Sequence, residues 1–443
     1  MQEGSLEAPT RHPIAWQDDE FYDPDLLDAE LRRVFDICHG CRRCFNLCDS
    51  FPQLFDLIDD SETEMVEDLP SESFKPVVDA CTLCDMCFMV KCPYVPPHDF
   101  DLDFPHLMLR ARAIEHKKGE TKFADRELAK TDRNGKLATK VSGLANWATK
   151  ESNGLTRSAM EKTLGIDKRA HLPRYDSKQF SKTPAKAMPA VNLEAPNFGR
   201  KAAIYATCYA NFNDSTPGRA ALDVLSHNGV SCRIDHPHCC GMPLLENGDL
   251  AGVAKSAEAV AAHFGPLIDR GYDIVALTPS CALMLKFEWP LILPDNPTVQ
   301  KLAEHTRDLA QYVVELAKDK GLVEVPEMAS RIGLHFACHS RAQNIGAKAM
   351  EMLKLIPGAT PTIVERCSGH GGKWGIMADN YDTAVKLARP TVRNLKKGNP
   401  DYVVSECPLA GPHLREVMKA SGGEDVPERV GHPIELVAKA YGF

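Results

Sequence analysis

Hydrophobic residues near the amino end recur every three or four positions, as on one face of a helix: Leu27, Leu31, Val34 and Phe35. Asp23-Pro24 precedes them and is typical of a helix start, with a capping carboxylate and proline at the first helical position. Phe104–Lys118 shows a second helical pattern. We therefore predict a helical amino-terminal region.

After residue 200 the pattern changes to short apolar runs that alternate with amphipathic segments. The runs predict strands that end at or just before a cysteine or a turn: Lys201–Cys208, Val230–Asp235, 272–281, Arg331–Cys338, Thr362–Cys367 and 401–408. Between them lie predicted helices at Thr216–Asn228, Leu250–Arg270 and Tyr381–Lys396. The second half repeats the plan of the first after about 130 residues, which predicts two related α/β lobes. Ligands of open α/β sheets bind where strands end, so the cysteines mark candidate sites.

Residues 120–199 separate these two regions. They contain polar stretches, a short apolar piece at Val141–Ala148, and a proline-rich run at 181–196 that favours a linker. Between Lys130 and Lys186 there are 13 basic and 5 acidic residues, whereas Asp18 to Asp103 holds 22 acidic and 6 basic ones. The basic connector is interpreted either as a solvated surface or as a contact with an anionic bilayer or an acidic partner. It has no recognisable nucleic-acid-reading motif, so no nucleic-acid partner is expected.

The cysteine content points to metal binding. Sixteen cysteines in 443 residues, with 44% hydrophobic residues, do not fit the small secreted domains that carry disulfide scaffolds. The amino terminus has no apolar signal-peptide core, and no run of about 18 apolar residues predicts a spanning helix. We expect a cytoplasmic protein whose thiols bind metal.

Eight cysteines form two compact runs. Cys38, Cys41, Cys44 and Cys48 are separated by two, two and three residues, and Cys81, Cys84, Cys87 and Cys92 by two, two and four. Three thiolates at two-residue spacing surround one small inorganic core, which favours iron–sulfur clusters over zinc sites or unliganded cysteines.

The two runs resemble those of two-cluster ferredoxins, in which the fourth cysteine of each run ligates the other run's cluster. The resemblance implies two [4Fe-4S] clusters: the first on Cys38, Cys41, Cys44 and Cys92, the second on Cys81, Cys84, Cys87 and Cys48. The pattern departs from small ferredoxins because Asp49 follows Cys48 in place of proline and four residues, not three, separate Cys87 and Cys92. With its helical surroundings, the region is similar to the α-helical ferredoxin domain of respiratory iron–sulfur subunits.

In the first repeat a strand-end cysteine, a Cys-Cys-Gly motif and a further cysteine resemble the CCG, or cysteine-rich, domain. A helical ferredoxin followed by two such domains is the layout of the family that includes the D subunit of heterodisulfide reductase and the C subunit of anaerobic glycerol-3-phosphate dehydrogenase. The implied fold class is α+β multidomain: a helical ferredoxin domain (1–119), the basic connector (120–199), a first CCG-type domain (200–325) and a second, degenerate one (326–443).

The family's cysteine pattern is incomplete here. The first repeat keeps Cys208, Cys239, Cys240 and Cys281, and Thr278 or Met284 occupies the place of a missing partner. The second keeps Cys338, Cys367 and Cys407, with Ser368 and Ala410 at the missing places. The resemblance implies a third iron–sulfur cluster in the first repeat and leaves the second repeat as a weaker candidate.

Histidines near these turns are alternative ligands: His236, His238, His335, His339 and His370. His238 and His339, which adjoin cysteines, are the better candidates. Cys232 falls in mid-strand and is interpreted as a core residue.

No phosphate-binding or dinucleotide motif is recognised in the sequence. The family resemblance therefore implies an electron-transfer subunit, without a complete active site of its own, that relays electrons between a flavoprotein dehydrogenase and a quinone or other acceptor, on the inner membrane face. A disulfide reductase similar to heterodisulfide reductase and a cluster-stabilised redox-sensing adaptor remain alternatives.

Overall fold

The computed structural model describes residues 7–422 and 426–443. It confirms an α+β protein in which a helical amino-terminal region precedes two small parallel sheets. Among the described residues, no helix combines the length and the apolar character needed to cross a bilayer.

Four helices build the amino-terminal region: α1 Pro24–Cys41, α2 Ser50–Asp59, α3 Lys75–Ala80 and α4 Phe104–Lys117. The Asp23 side chain accepts hydrogen bonds from the first-turn backbone N–H groups of α1, as its sequence predicts. Buried aromatic rings join the helices: Phe51 lies 4.7 Å from Phe104, and Phe35 lies 5.2 Å from Phe74, between ring centroids. This aromatic core holds the loops that carry the cysteine runs.

The connector is more ordered than its composition suggests. It forms four helices: α5 Phe123–Leu128, α6 Thr131–Lys140, α7 Ser142–Thr149 and α8 Gly154–Leu164. Only the segment after α8 runs mostly without regular structure to the first sheet. The sequence analysis missed these helices because their apolar stripes are short and polar stretches separate them.

The first α/β lobe contains a four-stranded parallel sheet in the order β2-β1-β3-β4. Its elements are β1 Lys201–Tyr205, α9 Cys208–Phe212, α10 Thr216–His227, β2 Ser231–Asp235, α11 Met242–Leu245, α12 Leu250–Ile268, β3 Tyr272–Ala276, α13 Pro279–Leu283, α14 Trp289–Ile292, α15 Pro297–His305, β4 Thr306–Asp308 and α16 Leu309–Asp319. The three predicted strands are confirmed in slightly shorter form. The fourth strand, β4, is three residues long, which is too short for an alternation of apolar and polar residues to predict it.

The second lobe has a three-stranded parallel sheet in the order β6-β5-β7. Its elements are β5 Ser330–His335, α17 Cys338–Ala342, α18 Lys348–Leu353, β6 Ala359–Val364, α19 Tyr381–Leu395, β7 Tyr402–Ser405, α20 Ala410–Ala420 and α21 Pro433–Ala440. Helix α21 packs on α10 of the first lobe, and Ile434 and Val437 are fully buried there. The two lobes therefore share one hydrophobic core.

Arg11 joins the amino-terminal segment, the ferredoxin-like region and the first lobe. Its guanidinium lies 2.7 Å from carboxylate oxygens of Asp85 and Asp103 and 3.1 Å from Glu288. Although burial alone would raise the pKa of Glu288, His106 and Arg11 hold it at about 2. Three carboxylates thus depend on one buried cation for their charge balance.

We expect Arg11→Ala to destabilise the protein by about 3–5 kcal/mol, because it leaves buried carboxylates without their cation. Thermal unfolding followed by circular dichroism under anaerobic conditions measures the effect. Arg33→Ala is the matched control, since Arg33 pairs with Glu30 on the surface and such pairs contribute about 0–1 kcal/mol. Equal effects of the two substitutions would contradict the role assigned to Arg11.

Candidate metal centres

The first cysteine run lies at the end of α1 and in the turn that follows. Arg42 has a left-handed backbone (φ 53°) and ends the helix, so the chain turns back between Cys41 and Cys44. Burial raises the pKa of the Cys38 thiol, and Cys92, Cys44 and Cys41 raise it further as electrostatic neighbours. The structure thus places Cys92, from the second run, beside the three closely spaced cysteines of the first.

The second run shows the reciprocal arrangement. Burial raises the pKa of Cys48, and Cys84 and Cys81 of the other run raise it further as electrostatic neighbours. Leu83 and Asp85 have positive φ angles of 48° and 63°, which curl the backbone between the cysteines. Non-glycine residues adopt such angles only where the surrounding structure holds them. The left-handed residues therefore curve the loop backbone around the space between its cysteines.

A π turn over Cys87–Lys91 accounts for the extra residue before Cys92. The backbone N–H of Cys92 donates to the carbonyl of Cys87, five residues earlier, at 2.8 Å. The wider turn accommodates the fourth intervening residue, and Cys92 still lies with the first run. Single π turns are frequent at functional sites.

Across residues 7–422 and 426–443, the group of possible ligands whose donor atoms lie within 4.8 Å of one another is Glu151, His171 and Glu416, outside the cysteine runs. Cys81 and Cys87 are buried and the other cysteines of the two runs are partly buried. Partly or fully buried thiols grouped in this way are typical of iron–sulfur sites.

The thiols of the first lobe lie at the carboxyl ends of β1, β2 and β3. The sulfurs of Cys240 and Cys281 are 3.2 Å apart. Hydrogen bonds from the Cys208 and Cys240 thiols lower the pKa of Cys239, which is thus the favoured thiolate. Gly241 follows with a φ of 82°, so the third residue of the Cys-Cys-Gly motif needs the conformational freedom of glycine.

The second lobe also gathers its three cysteines. Burial raises the pKa of Cys338, and Cys84, Cys367 and Cys407 raise it further as neighbours. Cys84 belongs to the second ferredoxin-like run, so this set adjoins that run directly. Cys407 has Cys281 of the first lobe among its charged neighbours.

Both sheets direct their carboxyl ends at one cavity of 880 Å³. Its lining includes thiols from both lobes and from the ferredoxin-like loops: Cys48, Cys84, Cys208, Cys239, Cys240, Cys281, Cys338, Cys367 and Cys407. Cysteines from the ferredoxin-like loops and from both lobes therefore meet at this cavity, whereas Cys38, Cys41, Cys44 and Cys92 do not line it.

The histidines selected from the sequence occupy varied positions. Both ring nitrogens of His339 have partners, at 2.8 Å from the Ser280 hydroxyl and 3.3 Å from the Leu83 carbonyl. His335 contacts the Ser405 hydroxyl and the Arg366 carbonyl in the same way. These two rings join elements of the fold, and neither has a free nitrogen for a metal. The adjacency that favoured His339 was therefore misleading.

The remaining candidates differ in environment. His236 lies 2.7 Å from Asp132 and does not line the cavity, while His238 has a half-exposed side chain. His370 lines the cavity, as does His413 of α20, which the sequence analysis missed. Burial lowers the pKa of His370 to about 3 and that of His413 to about 4, so both rings are neutral near pH 7. The sequence feature that points to His413 is its position three residues after Ala410, where the family pattern has a cysteine.

Cys232 lies outside these sets. It is in β2, and its thiol donates to the Val230 carbonyl at 3.6 Å. It packs against the shared core of the lobes and does not line the cavity. It provides a control position for substitutions of the other cysteines.

Comparison with known proteins agrees with this arrangement. Residues 202–286 and 332–415 match the family described as cysteine-rich domain, CCG. Both segments lie within the repeat ranges predicted from the sequence, whose outer boundaries stay predictions. The chain is 25% identical over 319 residues to the C subunit of anaerobic glycerol-3-phosphate dehydrogenase from Escherichia coli K12, covering 71% of this chain and 76% of that protein.

Two archaeal proteins are similar over a shorter part. The B subunit of fumarate reductase (CoM/CoB) from Methanothermobacter marburgensis is 24% identical over 251 residues, which is 55% of this chain and 47% of that protein. An uncharacterized iron-sulfur protein of Methanocaldococcus jannaschii is 26% identical over 245 residues, which is 54% of this chain and 46% of that protein. Two segments of the chain therefore match the CCG cysteine-rich domain, and the resemblance to the C subunit of anaerobic glycerol-3-phosphate dehydrogenase that its sequence predicts is confirmed.

Proposed function

We propose that this protein is an iron–sulfur electron-transfer subunit that relays electrons between a flavoprotein dehydrogenase partner and a quinone or other redox acceptor. The observation that carries the proposal is the unbroken succession of cysteine sets through the molecule. The named relatives, which include subunits of a dehydrogenase and of a reductase, support a redox partner subunit.

The neighbouring thiols give the relay an order. Cys44 of the first set is an electrostatic neighbour of Cys87 in the second. Cys84 of the second set adjoins Cys367 of the second lobe. Cys407 then adjoins Cys281 of the first lobe. These neighbours give one route from the amino-terminal region to the first lobe by way of the second lobe, and the buried cluster that Cys81 and Cys87 share with Cys239, Cys240 and Cys281 gives a direct one.

Iron–sulfur clusters supply single-electron chemistry when bound, with potentials set by ligands, hydrogen bonds and burial. We assign one [4Fe-4S] cluster to Cys38, Cys41, Cys44 and Cys92, and another to Cys81, Cys84, Cys87 and Cys48. A third cluster is assigned to Cys208, Cys239, Cys240 and Cys281. The chain's own contribution is to exclude water: Cys81 and Cys87 are buried, and Trp289 donates to the Cys240 carbonyl at 3.1 Å.

A disulfide reductase remains a second candidate because the cavity could admit a small substrate. Its volume of 880 Å³ and the favoured Cys239 thiolate are the observations in its favour. Turnover of a thiol–disulfide substrate that is abolished by Cys240→Ser would support this activity over simple electron relay.

The proposal extends to a membrane contact through α6–α8. Five large apolar side chains are exposed there: Leu137, Val141, Leu144, Trp147 and Leu155. Leu144 and Trp147 are three residues apart on α7, as on one helix face. Exposed lysines accompany them, including Lys136, Lys140 and Lys150. Apolar side chains flanked by basic ones, with a tryptophan, suit the interface of an anionic bilayer.

Substitutions within the two cysteine runs test the ligand assignment. If Cys92 belongs to the first cluster, Cys38→Ser combined with Cys92→Ser should lose about four irons, no more than either single variant. Cys38→Ser combined with Cys48→Ser should lose about eight. Iron and sulfide analysis with EPR of the reduced protein measures this, and Cys232→Ser is the control. The opposite pattern, with about eight irons lost from the Cys38 and Cys92 pair and about four from the Cys38 and Cys48 pair, would contradict the interleaved assignment.

Electron relay is tested on anaerobically prepared full-length protein, with reduced flavin mononucleotide as donor and a water-soluble quinone as acceptor. We expect the protein to accelerate the transfer, and expect Cys48→Ser combined with Cys81→Ser to slow it at least tenfold. Cys232→Ser should behave like the parent. About twelve irons per chain would support the third cluster, and about eight would exclude it. Iron-free protein, or reducible protein that does not accelerate transfer, would refute the proposed function.

Membrane contact is tested by co-sedimentation with vesicles of phosphatidylglycerol and phosphatidylcholine, compared with phosphatidylcholine alone. We expect binding to the anionic vesicles, weakened roughly tenfold by Leu144→Glu combined with Trp147→Glu, because each removes buried apolar area at the interface. Leu193→Glu is the control, since Leu193 is equally exposed outside these helices. Equal binding by all three proteins would rule out this face as the contact.

A further inference from the structure

The second lobe retains three thiols, yet its structure suggests more than three ligands. Ser368 and Ala410 stand where the family pattern has partner cysteines. Each of these positions is followed closely by a histidine, His370 after two residues and His413 after three. The two imidazole rings lie 6.0 Å apart between centroids.

Each ring has a buried nitrogen without a hydrogen-bond partner. These atoms are Nδ1 of His370 and Nε2 of His413. The His413 side chain is only 4% exposed. A buried polar atom that forms no hydrogen bond costs about 1–3 kcal/mol, so two of them in one place indicate a partner that the protein chain does not supply.

One ring nitrogen of His413 is available to a metal. Nε2 is buried and has no hydrogen-bond partner, whereas Nδ1 faces a carboxylate oxygen of Glu416 at 3.9 Å, one turn along the same helix. A neutral imidazole with one nitrogen free in this way is an electron-pair donor suited to metal ligation.

The glycine-rich backbone around His370 allows this turn to pack closely against helix α19. Gly369, Gly371 and Gly372 all have positive φ angles, between 53° and 73°. A Cβ at Gly369 would lie 2.0 Å from the Ala384 carbonyl oxygen, so this turn packs directly on α19. The backbone N–H of Gly369 also donates to the Cys367 sulfur at 3.3 Å. One compact turn therefore carries Cys367 and His370, and the His413 ring lies 6.0 Å from that of His370.

The same cavity wall includes Cys338, Cys367 and Cys407 as well as the two imidazoles. No three of these donor atoms lie within 4.8 Å of one another. These donors therefore do not form a compact site for a single ion, and a cluster of several irons is the group that would use them together. Sulfur and imidazole donors both suit iron, and histidine replaces cysteine as a cluster ligand in Rieske centres.

We propose that the second lobe holds a mixed-ligand iron–sulfur cluster, with Cys338, Cys367 and Cys407 as thiolate ligands and His370 and His413 as imidazole ligands. This inference rests on the proposed function, because it assumes a protein that acquires iron–sulfur clusters. Neutral imidazoles in place of thiolates make a cluster less negative and raise its reduction potential. We therefore expect its midpoint potential to lie above that of the same cluster with cysteine ligands alone.

The test uses full-length protein, anaerobically reconstituted with iron and sulfide, from cells supplied with ¹⁵N-histidine. Pulsed EPR of the reduced protein should show two histidine nitrogens coupled to a cluster. His370→Ala and His413→Ala should each remove one coupling, and the double variant should lose about four irons. His370→Cys should remove its nitrogen coupling, retain the iron and lower the midpoint potential of that cluster.

His238→Gln is the matched control, since His238 lies beside the cysteines of the first lobe. We expect it to keep both nitrogen couplings. Circular dichroism and unchanged EPR signals of the two amino-terminal clusters show that each variant is folded. Protein with reducible clusters but no histidine coupling, or couplings lost in His238→Gln alone, would overturn this inference and leave the proposed function standing. Protein without iron would overturn both.

Discussion

The burial of thiols against one another is the constraint on which this structure depends. Burial and neighbouring sulfurs raise the pKa of Cys38, Cys48 and Cys87, so without metal these groups stay protonated. Metal ligation needs thiolates, and a bound core of iron supplies the positive charge that lets them form. Uptake of iron therefore releases protons and stabilises the loops that hold the cysteines. Folding and metal loading are coupled through the same residues.

The sheets and the helical region bring the buried thiols together in different ways. Parallel strands bring their carboxyl ends to one edge, so each lobe gathers cysteines that are far apart in sequence, such as Cys208 and Cys281. The helical region instead uses tight loops with left-handed residues, such as Arg42 and Leu83. The shared core of the lobes and the Arg11 ion network fix these units against each other. Cysteine sets from three parts of the chain consequently meet at one cavity.

The sequence was informative wherever a local pattern decides the structure. Helix α1, the main strands of both lobes and the strand-end positions of the cysteines follow from periodicity and turn residues. The helices of the connector and strand β4 were missed, because packing on other parts of the chain stabilises short elements with weak patterns of their own. Arg11 and His413 could not be selected either. Their importance comes from partners that are distant in sequence, such as Glu288 for Arg11.

The π turn at Cys87–Lys91 has a consequence for how such proteins are recognised. A turn that can widen by one residue absorbs an insertion locally and leaves the position of the following thiol unchanged. Length variation between these two cysteines is then compatible with an intact binding geometry. Sequence searches that demand a fixed number of intervening residues would pass over chains built in this way, whereas a search for the three closely spaced cysteines and a later one in a helical setting would find them.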